Sequence, residues 1–135
     1  MPEIRTAALA YVQRRRLLQT RSVDNPAFYM AGGKIDFGET AEEALHREIR
    51  EELGTRIVPA TVAELGIFRA EAYGHPPGTQ LHMTCFLADL VDEPRPTSEI
   101  AELRYFTVAE YAAMDHVAPG SMLVFRHLQG MGLVD

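Results

Sequence analysis

The apolar and polar positions of this chain alternate between short runs and one clear helical period. Thr6 to Gln13 (TAALAYVQ) reads as a buried strand. Arg14-Arg15-Arg16 makes a basic turn, and Leu17 to Arg21 looks like the returning strand of a hairpin. Ser22 to Pro26 is rich in turn formers, and the apolar run Phe28-Tyr29-Met30 leads into a loop at Gly32-Gly33. Ala41 to Leu53 has the period of a helix. Thr40 serves as its N-cap with Glu43 as capping-box partner, and Gly54 ends it. Arg56 to Ala63 and Glu64 to Tyr73 hold one or two strands. Gly74 to Gly78 is a turn, and Thr79 to Val91 a long strand, so residues 64–91 predict a hairpin. Asp92 to Ser98 is a proline-broken loop. Leu103 to Phe106 follows as a short strand, then a helix from Thr107 to Met114 capped by Thr107 and Glu110. Pro119 to Leu128 is the last helix. This order predicts a single α/β or α+β domain over residues 1–135, with the topology left open.

The mid-chain helix carries its charge in an unusual place. At ~100° per residue, Ala41, Leu45, Ile49 and Leu53 span an arc of roughly 120°. Glu48, Glu51 and Glu52 span an adjacent arc of roughly 100° that overlaps the edge of this apolar stripe. Clustered carboxylates beside a buried face repel one another unless a cation holds them. Oxygen donors of this kind suit Mg²⁺ or Mn²⁺. Arg47 flanks the acidic arc, where its fork can orient a carboxylate.

Composition narrows the function. The 135 residues are 47% hydrophobic and 24% charged, ordinary values for a soluble globular protein. Net charge is −6, which argues against nonspecific nucleic-acid binding. Residues 33–54 hold seven acids and three bases, so −4 of the −6 lies there. Cys85 is the single cysteine and reads as a small buried hydrophobe. No segment approaches a membrane span, and the arginine run interrupts any signal-peptide core, so the expectation is a cytoplasmic protein. Composition leaves a homodimer open.

Gly33, five residues, Glu39, seven residues, then Arg47-Glu48-Ile49-x-Glu51-Glu52-x-Gly54 resembles the Nudix box of the MutT-like hydrolases. The last position departs from the pattern, with Thr55 in place of an aliphatic residue. Asp36 stands where many members have glutamate. The box covers about a sixth of the chain, and the rest agrees in length and element order. The resemblance implies a mixed sheet sandwiched between helices, and a Mg²⁺-dependent pyrophosphohydrolase. The substrate would be a nucleoside diphosphate derivative, including oxidised nucleoside triphosphates. By similarity, Glu48, Glu51, Glu52 and the Gly33 carbonyl are metal ligands, Glu39 holds the loop against the helix, and Arg47 orients a glutamate. The resemblance leaves the general base open between Glu48 or Glu51 of the box and an acid of the later loop, where Glu99 is preferred to Glu102. The alternative is a regulatory domain that binds nucleotides without turnover, which has no need for the full glutamate set. An isoprenyl diphosphate isomerase on the same fold is disfavoured by length and by the strand setting of Cys85.

Substrate contacts lie outside the box. Phe28, Tyr29 and Tyr73 are the candidates for stacking on a base, with Phe86 and Tyr105 as further aromatics and His75 as a loop contributor. The arginine run at 14–16 could also attract phosphates, although a solvated turn is the commoner fate of such a run.

Overall fold

The computed structural model describes residues 2–135. Its elements run β1 (Glu3–Ala10), β2 (Val12–Gln13), β3 (Arg16–Ser22), β4 (Ala31–Lys34) and α1 (Ala41–Leu53). A 3₁₀ turn (Pro59–Thr61) leads to β5 (Ala63–Glu71), β6 (Gln80–Leu87), β7 (Ile100–Phe106), α2 (Val108–Ala112) and α3 (Pro119–Gly130). A four-stranded sheet has the order β4-β1-β6-β5, with β1 parallel to β6 and the other neighbours antiparallel. A three-stranded antiparallel sheet has the order β2-β3-β7.

The apolar run of β1 is continuous because both faces are covered. Ala7 and Leu9 pack with Ala44, Leu45, Ile49 and Leu53 of α1. Ala8 and Ala10 pack with Met83 and Cys85 and with Tyr111, Val124, Phe125 and Leu128 of α2 and α3. The mixed sheet therefore lies between helices, the architecture implied by the resemblance. No helix among the described residues is long and apolar enough to cross a membrane.

The structure corrects several local expectations. The predicted strand Thr6–Gln13 is broken at Tyr11: β1 belongs to the large sheet, while β2 pairs with β3 in the small one. The expected hairpin is only the short β2–β3 ribbon. The predicted strand Thr79–Val91 stops at Leu87, and Leu90 makes an isolated bridge to Ile57. The last strand begins at Ile100 rather than Leu103. Arg15 pairs with the Asp135 side chain at 2.6 Å and donates to the Gly132 carbonyl, while Arg16 pairs with Glu110. These arginines tie the β2–β3 turn to the C-terminal elements and do not line the cavity described below.

Candidate active site

Local chemistry sets α1 as the spacing predicts. The Thr40 hydroxyl accepts from the Glu43 N–H and the Glu43 carboxylate accepts from the Thr40 N–H, a complete capping box. Gly54 closes the helix in the left-handed region at φ 63°. The loop after β6 then caps the exposed carbonyls. The Arg95 and Thr97 N–H groups donate to the Leu53 and Glu52 carbonyls, and the Thr97 hydroxyl donates to the Glu51 carbonyl. Thr55, the position that departs from the box, is buried, and its hydroxyl accepts from the Asp92 N–H at 2.9 Å. An aliphatic residue there would leave that loop N–H without this partner.

Arg47 is the hub of the acidic loop. Its Nε and Nη2 donate to the two oxygens of Glu39 at 2.8 and 2.9 Å, a bidentate fork. Its Nη1 donates to Glu48 at 2.7 Å, and Nη2 also reaches the Lys34 carbonyl at 3.1 Å. Asp36 stands 3.3 Å away and Glu51 3.8 Å away. Glu39 additionally accepts from the Asp36 N–H, so one carboxylate joins loop to helix. The Arg47 fork and that N–H hold the Glu39 carboxyl down at about 2, and the hydrogen bonds to Glu39 and Glu48 raise Arg47.

The three helix glutamates have different settings. Glu51 is largely exposed. The Glu48 side chain, 17% exposed, lies against Gly33: a β-carbon on Gly33 would sit 2.5 Å from the Glu48 carboxyl carbon. Glu52 turns inward and accepts from the Gly32 N–H at 3.0 Å. Burial pushes its carboxyl up to about 7, with the charges of Glu48 and Glu51 adding to the rise and the Gly32 N–H opposing it. Gly32 itself has φ 139°, and a β-carbon there would fall 2.0 Å from the Ala7 carbonyl oxygen. Gly32 is therefore required where β4 meets the β1 backbone, and a side chain at Gly33 would displace the Glu48 carboxylate.

Among the described residues, no three His, Cys, Asp or Glu side chains close into a preformed metal cage. They stand apart: Glu48 accepts from Arg47, Glu52 accepts from the Gly32 N–H, and Glu51 is largely exposed with Arg47 3.8 Å away. The donors nevertheless suit a hard divalent cation. All are carboxylate oxygens, Glu52 is desolvated beside like charges, and the Glu48 carboxylate lies directly over the bare Cα of Gly33.

Gly32 and Gly33 also border a cavity of about 210 Å³ on the opposite side of the sheet from α1, against α3. Its walls are mainly apolar, with Tyr29 and Tyr73 on one side and Leu81 and Met83 on the floor. Two sequence candidates, Tyr29 and Tyr73, thus lie together, with ring centres 6.3 Å apart, and His75 joins them. Phe28 does not. It is 3% exposed, packed edge-on against Phe106 at 5.2 Å and under the Arg104 guanidinium, so its assignment as a substrate contact is corrected to a core residue. Adjacent residues in an extended chain point oppositely, and only the tertiary fold says which one faces the cavity.

The later acids also separate. Glu102 lies inside β7, paired with Arg21 at 3.2 Å and Arg104 at 3.3 Å. Glu99 is exposed at the end of the loop that docks on the C-terminus of α1, and its carbonyl accepts from the Val23 N–H. That loop is anchored rather than free-standing. Thr6 and Lys34 were missed as cavity residues. The Thr6 hydroxyl is buried there without a hydrogen-bond partner. A threonine within an apolar strand was a usable signal, but not one that pointed to a site.

A family model described as NUDIX domain matches residues 3–126. The chain belongs to the Nudix family. Over 83 residues it is 32% identical to the nucleoside triphosphatase NudI of Enterobacter sp. (strain 638), a match spanning 59% of this chain and 59% of that protein. The MutT NUDIX hydrolase structure from Burkholderia pseudomallei has a TM-score of 0.76 at 21% identity, covering 95% of this chain and 99% of that one. The MutT protein from Methanosarcina mazei Go1 also has a TM-score of 0.76, at 17% identity, covering 97% and 96%. These two likenesses establish the Nudix fold.

Proposed function

We propose that this Nudix protein is a single-domain, cytoplasmic, divalent-cation-dependent pyrophosphohydrolase of nucleoside diphosphate derivatives, nucleoside triphosphates and their oxidised forms among them. The observation that carries the reading is the juxtaposition at Gly32-Gly33. The desolvated carboxylate of Glu52, with Glu48 beside it, lies on one side of this strand, and an apolar cavity walled by tyrosines lies on the other. A nucleotide has the same division, with charged phosphates at one end and a flat, weakly polar ring at the other. The likeness to a nucleoside triphosphatase over part of the chain supports the same reading.

Glu48, Glu51, Glu52 and the Gly33 carbonyl would hold Mg²⁺, with Mn²⁺ as an alternative. The cation supplies neutralisation of charge on the phosphate oxygens and leaving group. Arg47 fixes the Glu48 carboxylate, and Glu39 fixes Arg47. Water attacks one phosphorus, the bridging P–O bond breaks, and a carboxylate takes the water's proton. Glu48, Glu51 and Glu99 are the candidates for that carboxylate. Glu102 is withdrawn from the group, because its two arginine contacts assign it to the sheet. Tyr29 and Tyr73 contact the nucleoside. The test is phosphate and pyrophosphate release from a nucleotide panel with Mg²⁺. Turnover that excess EDTA abolishes is expected. Binding without release of either product would instead favour a nucleotide-sensing domain.

A further inference from the structure

We propose that His116 is a specificity-determining positioning residue, which sets Tyr73 at the cavity rim in the orientation that stacks on the base of a bound nucleotide. The inference rests on the cavity being the nucleoside site, and it adds a residue outside both the Nudix box and the cavity wall. The Tyr73 hydroxyl and His116 Nδ1 share a hydrogen bond of 2.9 Å, and the two rings meet edge to face at 6.4 Å. At its other end, Tyr73 is backed by Tyr29. The Tyr29 hydroxyl donates to the Tyr73 carbonyl at 3.5 Å, and Gly74, at φ 80°, brings the turn backbone against the same hydroxyl.

His116 itself stands on a braced segment. Two residues on, the Ala118 N–H donates to the Tyr111 hydroxyl, and that fully buried hydroxyl donates to the Phe28 carbonyl. The β5–β6 turn carrying Tyr73 is thus referenced to the core through the α2–α3 connection. A tyrosine whose hydroxyl is engaged sideways offers a ligand its ring, and a ring fixed in advance loses less freedom on binding. His116 does not line the cavity, so it acts through Tyr73.

The test is steady-state kinetics of the full chain with each of the four deoxynucleoside triphosphates, and with ribose 5-triphosphate as a substrate lacking a base. His116→Ala and Tyr73→Phe should each raise KM for the accepted deoxynucleoside triphosphates about fivefold, the size of one hydrogen bond's net contribution, with kcat within about twofold. KM for ribose 5-triphosphate should not move. His116→Asn, which can return a polar atom near Nδ1, should restore KM. The double variant should be no worse than either single one, because both break the same bond. A wild-type KM in His116→Ala, an equal rise for ribose 5-triphosphate, or additive effects in the double variant would overturn the proposal and leave the hydrolase reading standing. A wild-type protein that turns over none of the four deoxynucleoside triphosphates would overturn this inference, while the hydrolase reading falls only if the wider nucleotide panel also shows no release.

Discussion

The acidic loop–helix and the apolar cavity share Gly32 and Gly33 but are built by opposite means. In the first, every key side chain comes from residues 36–52, and charge-assisted bonds converge on Arg47. In the second, the walls come from β1, β4, β6, the β5–β6 turn and α3, brought together by packing with few polar contacts. A reaction centre on one rigid helix keeps its geometry because spacing along the helix sets it. A recognition wall assembled from separate segments can change one segment at a time without moving the carboxylates.

Glu52→Gln strikes the local region. It keeps size and an acceptor for the Gly32 N–H but removes the charge. Activity should fall by at least roughly 10²-fold, measured as kcat at saturating Mg²⁺. Stability without metal should be unchanged or higher, since a repulsion with Glu48 one turn away is lost. Near-normal turnover would end the metal-site reading of α1.

Phe28→Leu strikes the packing beside the cavity. Its ring packs edge-on against Phe106, with the Arg104 guanidinium over both rings. Thermal unfolding should show a loss of about 1–2 kcal/mol, with KM unchanged. A raised KM at unchanged stability would return Phe28 to the substrate contacts.

The pH dependence of stability should reveal both ends of the acidic network. Glu52 binds its proton more tightly folded than unfolded, with a folded pKa of about 7 against 4.5. Its contribution is therefore complete below 4.5 and is lost as pH rises through 7. Glu39 acts in the opposite window: its contribution is present above 4.5 and lost as pH falls through about 2. Metal-free protein should lose several degrees of Tm between pH 5 and 7 relative to Glu52→Gln, roughly the scale expected of a partly buried carboxylate in a domain this size. Parallel Tm curves for the two proteins would show that Glu52 is not desolvated. Titrating Mg²⁺ into the wild type near pH 7 should raise Tm, and an unchanged Tm would count against a metal site.

Glu102→Gln should have the smallest effect, with activity within about threefold and a stability loss below ~1 kcal/mol, as for a half-exposed ion pair. Kinetics of Glu99→Gln beside it complete the comparison. A larger activity loss for Glu102→Gln than for Glu99→Gln would restore Glu102 as a base candidate.

Helix α1 and its chemistry are written in residues 40–54 alone. The helix begins at Ala41 and ends at Leu53 because a capping box and a C′ glycine act over three or four residues, and both are visible as letters. The acidic arc beside the apolar stripe was equally legible, because helical spacing converts sequence distance into angle. The α2 cap at Thr107 and the turn at Gly74–Gly78 follow the same logic. Long-range packing sets the change of sheets at Tyr11, the core position of Phe28 beside the cavity position of Tyr29, the place of Glu102 in a strand, and the contact of His116 with Tyr73. Each of these depends on contacts between segments far apart in sequence: β1 with β6, β3 with β7 and with Tyr29, and the α2–α3 connection with the β5–β6 turn. Local patterns state that a residue is apolar or charged. Which partner it meets is settled by the long-range packing that closes the sheet between its helices.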